Sequence, residues 1–291
     1  YEVIGKEEQH SINKIFKNAN GIMFRHGFEN LRNNQFLVNE FENKFKKKFD
    51  SKYSLAVTSG TAALRVAIAS LDLQKDDEII TQSFTFVATV EAIIESRCKP
   101  ICTEIDDSYN MCPNDLIKKI SDKTKAVIVV HMHGQPANLK KIKQICKKYK
   151  LILIEDTAWG IGGRFQKKFL GTVGDIGTFS FDFAKTITTG EGGMILFKKK
   201  KKKIAAKAWH DHGHENNPKL NRWEDSRKIS GFNFRMSELI AAVGLVQLKK
   251  FDKIFNRHEV NKKKILNEIK SYKNYFLPKN PKFSKPAAEA L

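Results

Sequence analysis

The sequence predicts an α/β protein built on a mostly parallel β-sheet covered by helices on both faces. Two observations carry this. Short apolar or β-branched runs of strand length alternate with stretches of helical periodicity through most of the chain. Several helical stretches also open with Ser, Thr, Pro or Asn near the cap position. Helices are expected over 6–19, 35–49, 60–71, 84–96, 113–121 and 138–149. Between them stand YSLAV (53–57), DEIIT (77–81), KPICTEI (99–105), KAVIVVH (125–131) and LILIED (151–156), each read as a strand. Ligands of such sheets collect beyond the carboxyl ends of the strands, so residues there carry the functional weight. From about 157 the alternation yields to Gly-rich turns, a strand GTFSF (177–181) and another within GGMILF (192–197). Two further helices are expected over about 235–253 and 257–271. No internal repeat is visible, and no linker-like segment precedes the last dozen residues. One domain with a poorly defined C-terminal extension is the expectation.

Composition narrows the class. The 291 residues are 41% hydrophobic and 29% charged, with 7 Pro and 17 Gly, which excludes collagen-like, disulfide-scaffold and disordered chains. No stretch approaches the roughly 18 uninterrupted apolar residues of a membrane helix. The opening YEVIGKEEQH is polar and lacks an apolar signal core, so nothing points to secretion. Cys98, Cys102, Cys112 and Cys146 are too few and too irregular for a disulfide framework, so a reduced, cytoplasmic setting is expected. The net charge of +20 invites a nucleic-acid reading. Lys dominates over Arg, however, and much of it lies along solvated helix faces such as KKIKQICKKYK (140–150). The dense run Lys198–Lys203 follows an apolar strand and reads as a turn into the next helix. Neither a specific nucleic-acid partner nor a membrane is expected; the basic surface would steer anionic substrates.

Chemistry concentrates in 151–197. Glu155 and Asp156 close an apolar strand, so one carboxylate can sit at the carboxyl edge of the sheet, although acidic pairs at strand ends are common. Lys185 stands between the strand Thr178–Phe181 and the turn TTGEGG. A lysine among Phe179, Phe181 and Phe183 is a candidate nucleophilic amine able to form a Schiff base. A lysine snorkelling out of a loop is the bland alternative, and local composition weighs the two equally. Other features read plainly. His210, His212 and His214 alternate as metal ligands sometimes do, but Asn217-Pro218 marks a loop, and no metal is expected. Cys98, Cys102 and Cys112 lack C-x-x-C spacing and read as buried thiols rather than zinc ligands. Gly160, Gly162 and Gly163 lack the G-x-G-x-x-G spacing and the following helix of a dinucleotide loop.

EDTAWG and GDIGTFSFDFAKTITTGEGGM resemble the internal-lysine motif of the DegT/StrS-type sugar aminotransferases, fold-type-I enzymes that use pyridoxal phosphate. VTSGTAALRVAIASL (57–71) is similar to that family's phosphate-binding strand–turn–helix, and QSFTFVATVEAI (82–93) to its cofactor-stacking segment. VVHMHGQPANL (129–139) and GFNFRMSELIAAVGLVQL (231–248) resemble further family blocks in the right order. The resemblance covers roughly 1–270. It implies a seven-stranded, mostly parallel sheet in a large domain over 1–255. A small C-terminal subdomain would follow, with 256–291 as its start, either truncated or a short variant.

The resemblance also implies roles. Lys185 would carry the cofactor and act as general base and acid, and Asp156 would lie beside the ring nitrogen. Backbone N–H groups of Thr61 and Ala62, with the helix dipole, would hold the phosphate, and Ser180 would be a second phosphate ligand. Phe86 would stack on the cofactor. Asn233 would reach the phosphate from a partner subunit, implying a homodimer. Trp159 departs from the pattern: many relatives carry Gln or His there, and an indole N–H could donate to the cofactor or simply fill space. The implied reaction transfers an amino group from an amino acid, expected to be glutamate, to an oxo-sugar. EDTAWG, FSFDFAKT and HDHGHENNP look closest to the branch that aminates C8 of an octulosonate, a sugar acid of lipopolysaccharide. A nucleotide-linked 4-keto-6-deoxy sugar is the alternative substrate. A related dehydratase branch has His in place of the lysine, and Lys185 speaks against it; an intact Lys185, Asp156 and Ser180 speak against a non-catalytic regulator.

Overall fold

A computed structural model describes residues 3–18, 23, 32–217, 219–272 and 276–288. In chain order the elements are α1 (Lys6–Asn18), α2 (Leu37–Lys48), β1 (Tyr53–Val57), α3 (Gly60–Ala69), β2 (Glu78–Gln82), α4 (Val87–Glu95), β3 (Lys99–Thr103), α5 (Pro113–Lys119) and β4 (Thr124–Val130). They continue as α6 (Leu139–Lys148), β5 (Ile152–Asp156), β6 (Arg164–Phe165), β7 (Lys168–Phe169), β8 (Ile176–Ser180), β9 (Gly193–Phe197), α7 (Lys200–Trp209), α8 (Glu238–Ile269) and β10 (Ser284–Lys285). The main sheet has seven strands in the order β1-β9-β8-β5-β4-β2-β3. Strands β3, β2, β4, β5 and β8 pair in parallel, and β1 pairs with β9 antiparallel. This is the α/β, mostly parallel architecture that the alternating pattern predicts.

The chain forms two compact units, Tyr1–Leu71 with Ser180–Phe251 and Asp72–Phe179 with Asp252–Leu291. In the first, Phe41, Phe45 and Phe49 recur every fourth residue and so share one face of α2. Phe41 and Phe45 meet Phe181, at 5.4 and 5.6 Å between ring centroids, and Phe49 meets Phe251 at 5.5 Å. The N-cap of α2, Phe36, offers no side-chain cap. The fully buried Glu238, at the start of α8, substitutes for it: its carboxylate accepts from the amides of Leu37 (2.8 Å) and Val38 (3.1 Å), and Arg32 pairs with it at 3.3 Å. An anion at a helix N-terminus satisfies orphan N–H groups and meets the positive end of the dipole.

In the second unit the core lies between the sheet and α6. Ile80, Val127, Val129 and Leu153 pack with Leu139, Ile142, Ile145 and Cys146. The period of those helix positions leaves the lysines of 140–150 on the opposite face, as expected of a solvated helix. A second sheet, in the order β10-β6-β7, was not legible in sequence because two-residue strands are too short to show alternation. Among the described residues no helix is long and apolar enough to cross a membrane.

Three expectations need correction. The two helices expected after 235 are one continuous α8: Ile254 and Phe255 are buried, and no Gly or Pro stands near the expected break. The C-terminal segment is partly anchored, because Ser284–Lys285 pairs with Arg164–Phe165 and Ala287 N–H donates to the Gly134 carbonyl (2.9 Å). Cys98 is buried, but Cys102 is exposed on the edge strand β3 and Cys112 is half-buried. The histidine cluster is tied into separate local contacts: His210 Nδ1 lies 2.5 Å from the Lys207 carbonyl, and His214 Nδ1 lies 3.3 Å from Asp225.

Burial pushes the pKa of His210 down to about 4. Its unfolded pKa is higher, so the unfolded chain binds the extra proton, and the stabilisation present above pH 6.5 is lost as pH falls toward 4. The expected loss between pH 7 and pH 5 is about 2 kcal/mol. Urea unfolding at both pH values measures it, and His210→Asn should remove this part of the pH dependence.

Candidate active site

Strand β5 ends in two acids, and strand alternation sends them to opposite faces. Glu155 is fully buried and faces the turn after β7: its carboxylate accepts from the amides of Gly171 (3.0 Å), Val173 (2.7 Å) and Gly174 (2.5 Å), and lies 3.0 Å from His131 Nε2. Ala137 N–H donates to His131 Nδ1 (3.2 Å), which leaves Nε2 as the N–H that faces Glu155. Burial opposes the charge of Glu155, but His131 and the amides of Gly174 and Gly171 outweigh it and hold the carboxyl below its ordinary range. The turn it organises needs glycine. Gly171 has φ +82°, and a Cβ on Gly177 would lie 2.0 Å from the Gly171 carbonyl oxygen.

Asp156 takes the other face. It is buried, with Oδ1 accepting from Ala158 N–H (3.1 Å) and Oδ2 from the Thr89 hydroxyl (2.9 Å). Thr89 itself was not singled out by the sequence, since a threonine early in α4 reads as ordinary helix-start composition. The available signal was its i,i+4 spacing from Thr85 in QSFTFVAT. Phe86 is the N-cap of α4 and is 64% exposed, in the same unit as Asp156. Trp159 is half-buried in a row of rings: it lies 5.7 Å from His133, which lies 5.7 Å from Phe84, which lies 6.3 Å from Tyr109.

The first unit holds the other predicted residues. At the β1–α3 junction Ser59 caps the helix, its hydroxyl accepting from Ala62 N–H (3.0 Å). The Ala62 amide is therefore engaged by the cap, and the first-turn amides of Gly60 and Thr61 are the ones that helix geometry leaves without an intrahelical acceptor. A Cβ on Gly60 would lie 2.8 Å from Ser180 Cβ and 3.0 Å from its Oγ. The Ser59–Thr61 turn and Ser180 thus stand together as a cradle of N–H and hydroxyl donors at a positive helix end, which suits a phosphate. Lys185 is half-buried in the turn after β8, its amide donating to the Asp182 carbonyl (3.0 Å). The three phenylalanines expected to surround it diverge: Phe181 packs on Phe41 and Phe45, a Gly171 Cβ would meet the ring of Phe179, and Phe183 is 64% exposed. Asn233 is exposed on a loop held to the end of α7, where Phe232 and Phe234 N–H donate to the carbonyls of Trp209 and His210 (both 2.9 Å). Asp211, fully buried, clamps this loop through Arg222 (2.8 and 3.0 Å) and Arg235.

A large, mostly parallel sheet of seven strands is the architecture that the resemblance to fold-type-I pyridoxal-phosphate enzymes implies. Residues 27–289 match the model of the DegT/DnrJ/EryC1/StrS aminotransferase family, and the chain belongs to that family. Among its relatives is the GDP-perosamine synthase of Escherichia coli O157:H7, 35% identical over 241 residues, covering 81% of this chain and 65% of that protein. The chain spans less than two thirds of the length of the curated relatives it matches. Its structure is similar to a Helicobacter pylori aminotransferase involved in the biosynthesis of pseudoaminic acid, with a TM-score of 0.86, 26% identity, and coverage of 98% of this chain and 74% of that one. It is also similar to E. coli GDP-4-keto-6-deoxy-D-mannose-3-dehydratase with bound hydrated PLP, with a TM-score of 0.86, 26% identity, and coverage of 98% and 75%. The family's cofactor is pyridoxal 5′-phosphate. The donor cradle at Gly60 and Ser180 fits its phosphate, and the doubly held Asp156 carboxylate fits a protonated ring nitrogen.

Because position 60 has no room for a methyl group beside Ser180, Gly60→Ala should weaken binding of pyridoxal phosphate at least roughly tenfold, a loss of about 1.4 kcal/mol. Titration of cofactor absorbance measures this, with thermal melts of the cofactor-free proteins to show that the variant keeps the fold.

Proposed function

We propose that this chain binds pyridoxal 5′-phosphate through Lys185 and transfers an amino group from an amino acid to an oxo-sugar. The observation that carries the reading is the Gly60–Ser180 cradle in a chain whose strand-end carboxylate, Asp156, is fixed by two donors. When bound, the cofactor supplies an electron sink, provided its ring nitrogen stays protonated. Asp156 would hold that proton through a charge-assisted bond worth about 1.5–3 kcal/mol. The amides of Gly60 and Thr61 and the Ser180 hydroxyl hold the phosphate, and the exposed ring of Phe86 covers one face. Lys185 Nζ provides the covalent anchor. The same nitrogen, when free, would serve as the base that removes the proton from the donor Cα and as the acid that delivers one to the acceptor carbon. Donor and sugar would use the same site in turn, so the first product would leave before the sugar enters, a ping-pong order.

The named relatives support a nucleotide-linked sugar as acceptor, since a GDP-perosamine synthase is among them. The octulosonate reading rests on EDTAWG, FSFDFAKT and HDHGHENNP. Lys185 supports amino transfer over dehydration, and glutamate is the expected donor. A homodimer is proposed as the working unit, because Asn233 stands exposed on a clamped loop from which it could reach a partner's phosphate.

Two experiments test this. Borohydride reduction of the cofactor-loaded protein should fix the cofactor to Lys185 on peptide mapping. Lys185→Ala should abolish amino transfer from glutamate to every member of an oxo-sugar panel, and labelling of another lysine would refute the assignment. For the shared site, Lys185→Ala and Asn233→Ala chains are mixed and allowed to exchange. A mixed dimer should regain one intact site, and no recovery despite verified exchange would exclude a contribution from the partner's Asn233.

A further inference from the structure

Thr89 is a buried hydroxyl in the second unit whose hydrogen bonds run to Asp156 Oδ2 (2.9 Å) and to Thr85 Oγ1 (2.9 Å). A carboxylate is acceptor only, so the Thr89 proton points at Asp156. The Thr85–Thr89 contact must then be made with the Thr85 proton, for which the Phe86 carbonyl at 3.3 Å is the weaker competitor. The result is a directional chain, Thr85 O–H to Thr89 O–H to Asp156, in which each bond polarises the next. We propose that Thr85 and Thr89 form a positioning relay that fixes the Asp156 carboxylate and keeps it ionised beside the cofactor's ring nitrogen. This rests on the pyridoxal-phosphate reading above and assigns it two further residues.

The geometry shows why one donor would not suffice. The Asp χ2 torsion is broad, and a carboxylate held at one oxygen can swing. Ala158 N–H holds Oδ1 from the turn after β5, and Thr89 holds Oδ2 from α4, so the plane of the carboxylate is set from two separate elements. Both donors favour the charged form. Packing alone would be served equally well by valine at 89, whereas a buried hydroxyl has to be hydrogen-bonded. Thr85 and Thr89 lie one turn apart, which brings their side chains onto one face of the helix start.

The test titrates wild type, Thr89→Val, Thr89→Ser and Thr85→Val with pyridoxal phosphate by absorbance between pH 5 and pH 8, with thermal melts of each protein without cofactor. Thr89→Val should bind about tenfold more weakly at pH 7. Its affinity should also fall away on the acid side at a higher pH than in wild type, because the carboxylate has lost a donor to its charged form. Thr89→Ser should bind within about twofold of wild type, and Thr85→Val should weaken binding about two- to threefold in the same direction. Binding by Thr89→Val equal to wild type at every pH would overturn the relay. So would a Thr89→Ser protein as weak as Thr89→Val with an unchanged melt, since the methyl group and not the hydroxyl would then matter. Should Thr89→Val fail to fold, Thr89→Ser and Thr85→Val decide by the same criteria. A wild-type protein that takes up no cofactor at any pH would instead remove the pyridoxal-phosphate reading, and the relay with it.

Discussion

The strand end that carries Asp156 depends on the buried carboxylate of Glu155. Taking a charge out of water costs several kcal/mol unless donors replace the lost solvent. Glu155 has four, the amides of Gly171, Val173 and Gly174 and the imidazole of His131. These bonds draw the 171–174 turn beneath the end of β5 and hold the β4–α6 connection, where His131 N–H also donates to the Asp156 carbonyl (3.0 Å). With one face of the strand end fixed in this way, the next residue, Asp156, is turned to the other face with its carboxylate at the carboxyl edge of the sheet. Two adjacent acids of the same chemistry thus acquire different tasks from the pleat alone.

The same device recurs. Glu238 caps the start of α2 through the amides of Leu37 and Val38, and Glu42 accepts from Ala56 N–H (2.9 Å), joining α2 to β1. Asp175 accepts from Leu153 N–H (3.0 Å), and Asp225 from the amides of Asn216 (2.8 Å) and Asn217 (3.2 Å). In a chain with 32 acids against 52 Lys and Arg, many of the acids that matter to the fold face backbone amides inside it. Exposed lysines are left in excess at the surface. The net charge is set by composition, and placing acids inside against amides makes the surface more positive still, which suits a protein whose proposed ligands carry phosphate.

Motif and architecture were largely legible in the sequence because they are local. The run SGTAAL announces a capped helix start after a strand, and the structure shows Ser59 in that role. The five parallel strands follow from apolar runs of the right length. Lys185 and Asp156 were legible as candidates because a lysine in a small-residue turn and an acid at a strand end are recognisable in one dimension. The two-residue strands of the small sheet were not legible, being shorter than the pattern that reveals a strand. The unbroken α8 was misread for the opposite reason: the sequence carries no break at 254–256, and burial of Ile254 and Phe255 carries the helix on.

The sequence by itself determined the strand–helix alternation, the capped helix start at Ser59, the acidic strand end and the lysine turn, since each is set by neighbours within a few residues. Only the tertiary structure decided which donors hold Glu155 and which hold Asp156, where the three phenylalanines around Lys185 go, and that Ala62 N–H belongs to a cap. It also decided that Thr89 holds Asp156 across 67 residues of chain. The physical reason is that hydrogen bonds and ring contacts act over about 3–6 Å in space. They join positions that the chain keeps far apart, and no local pattern records which donor will meet which acceptor once the sheet has formed.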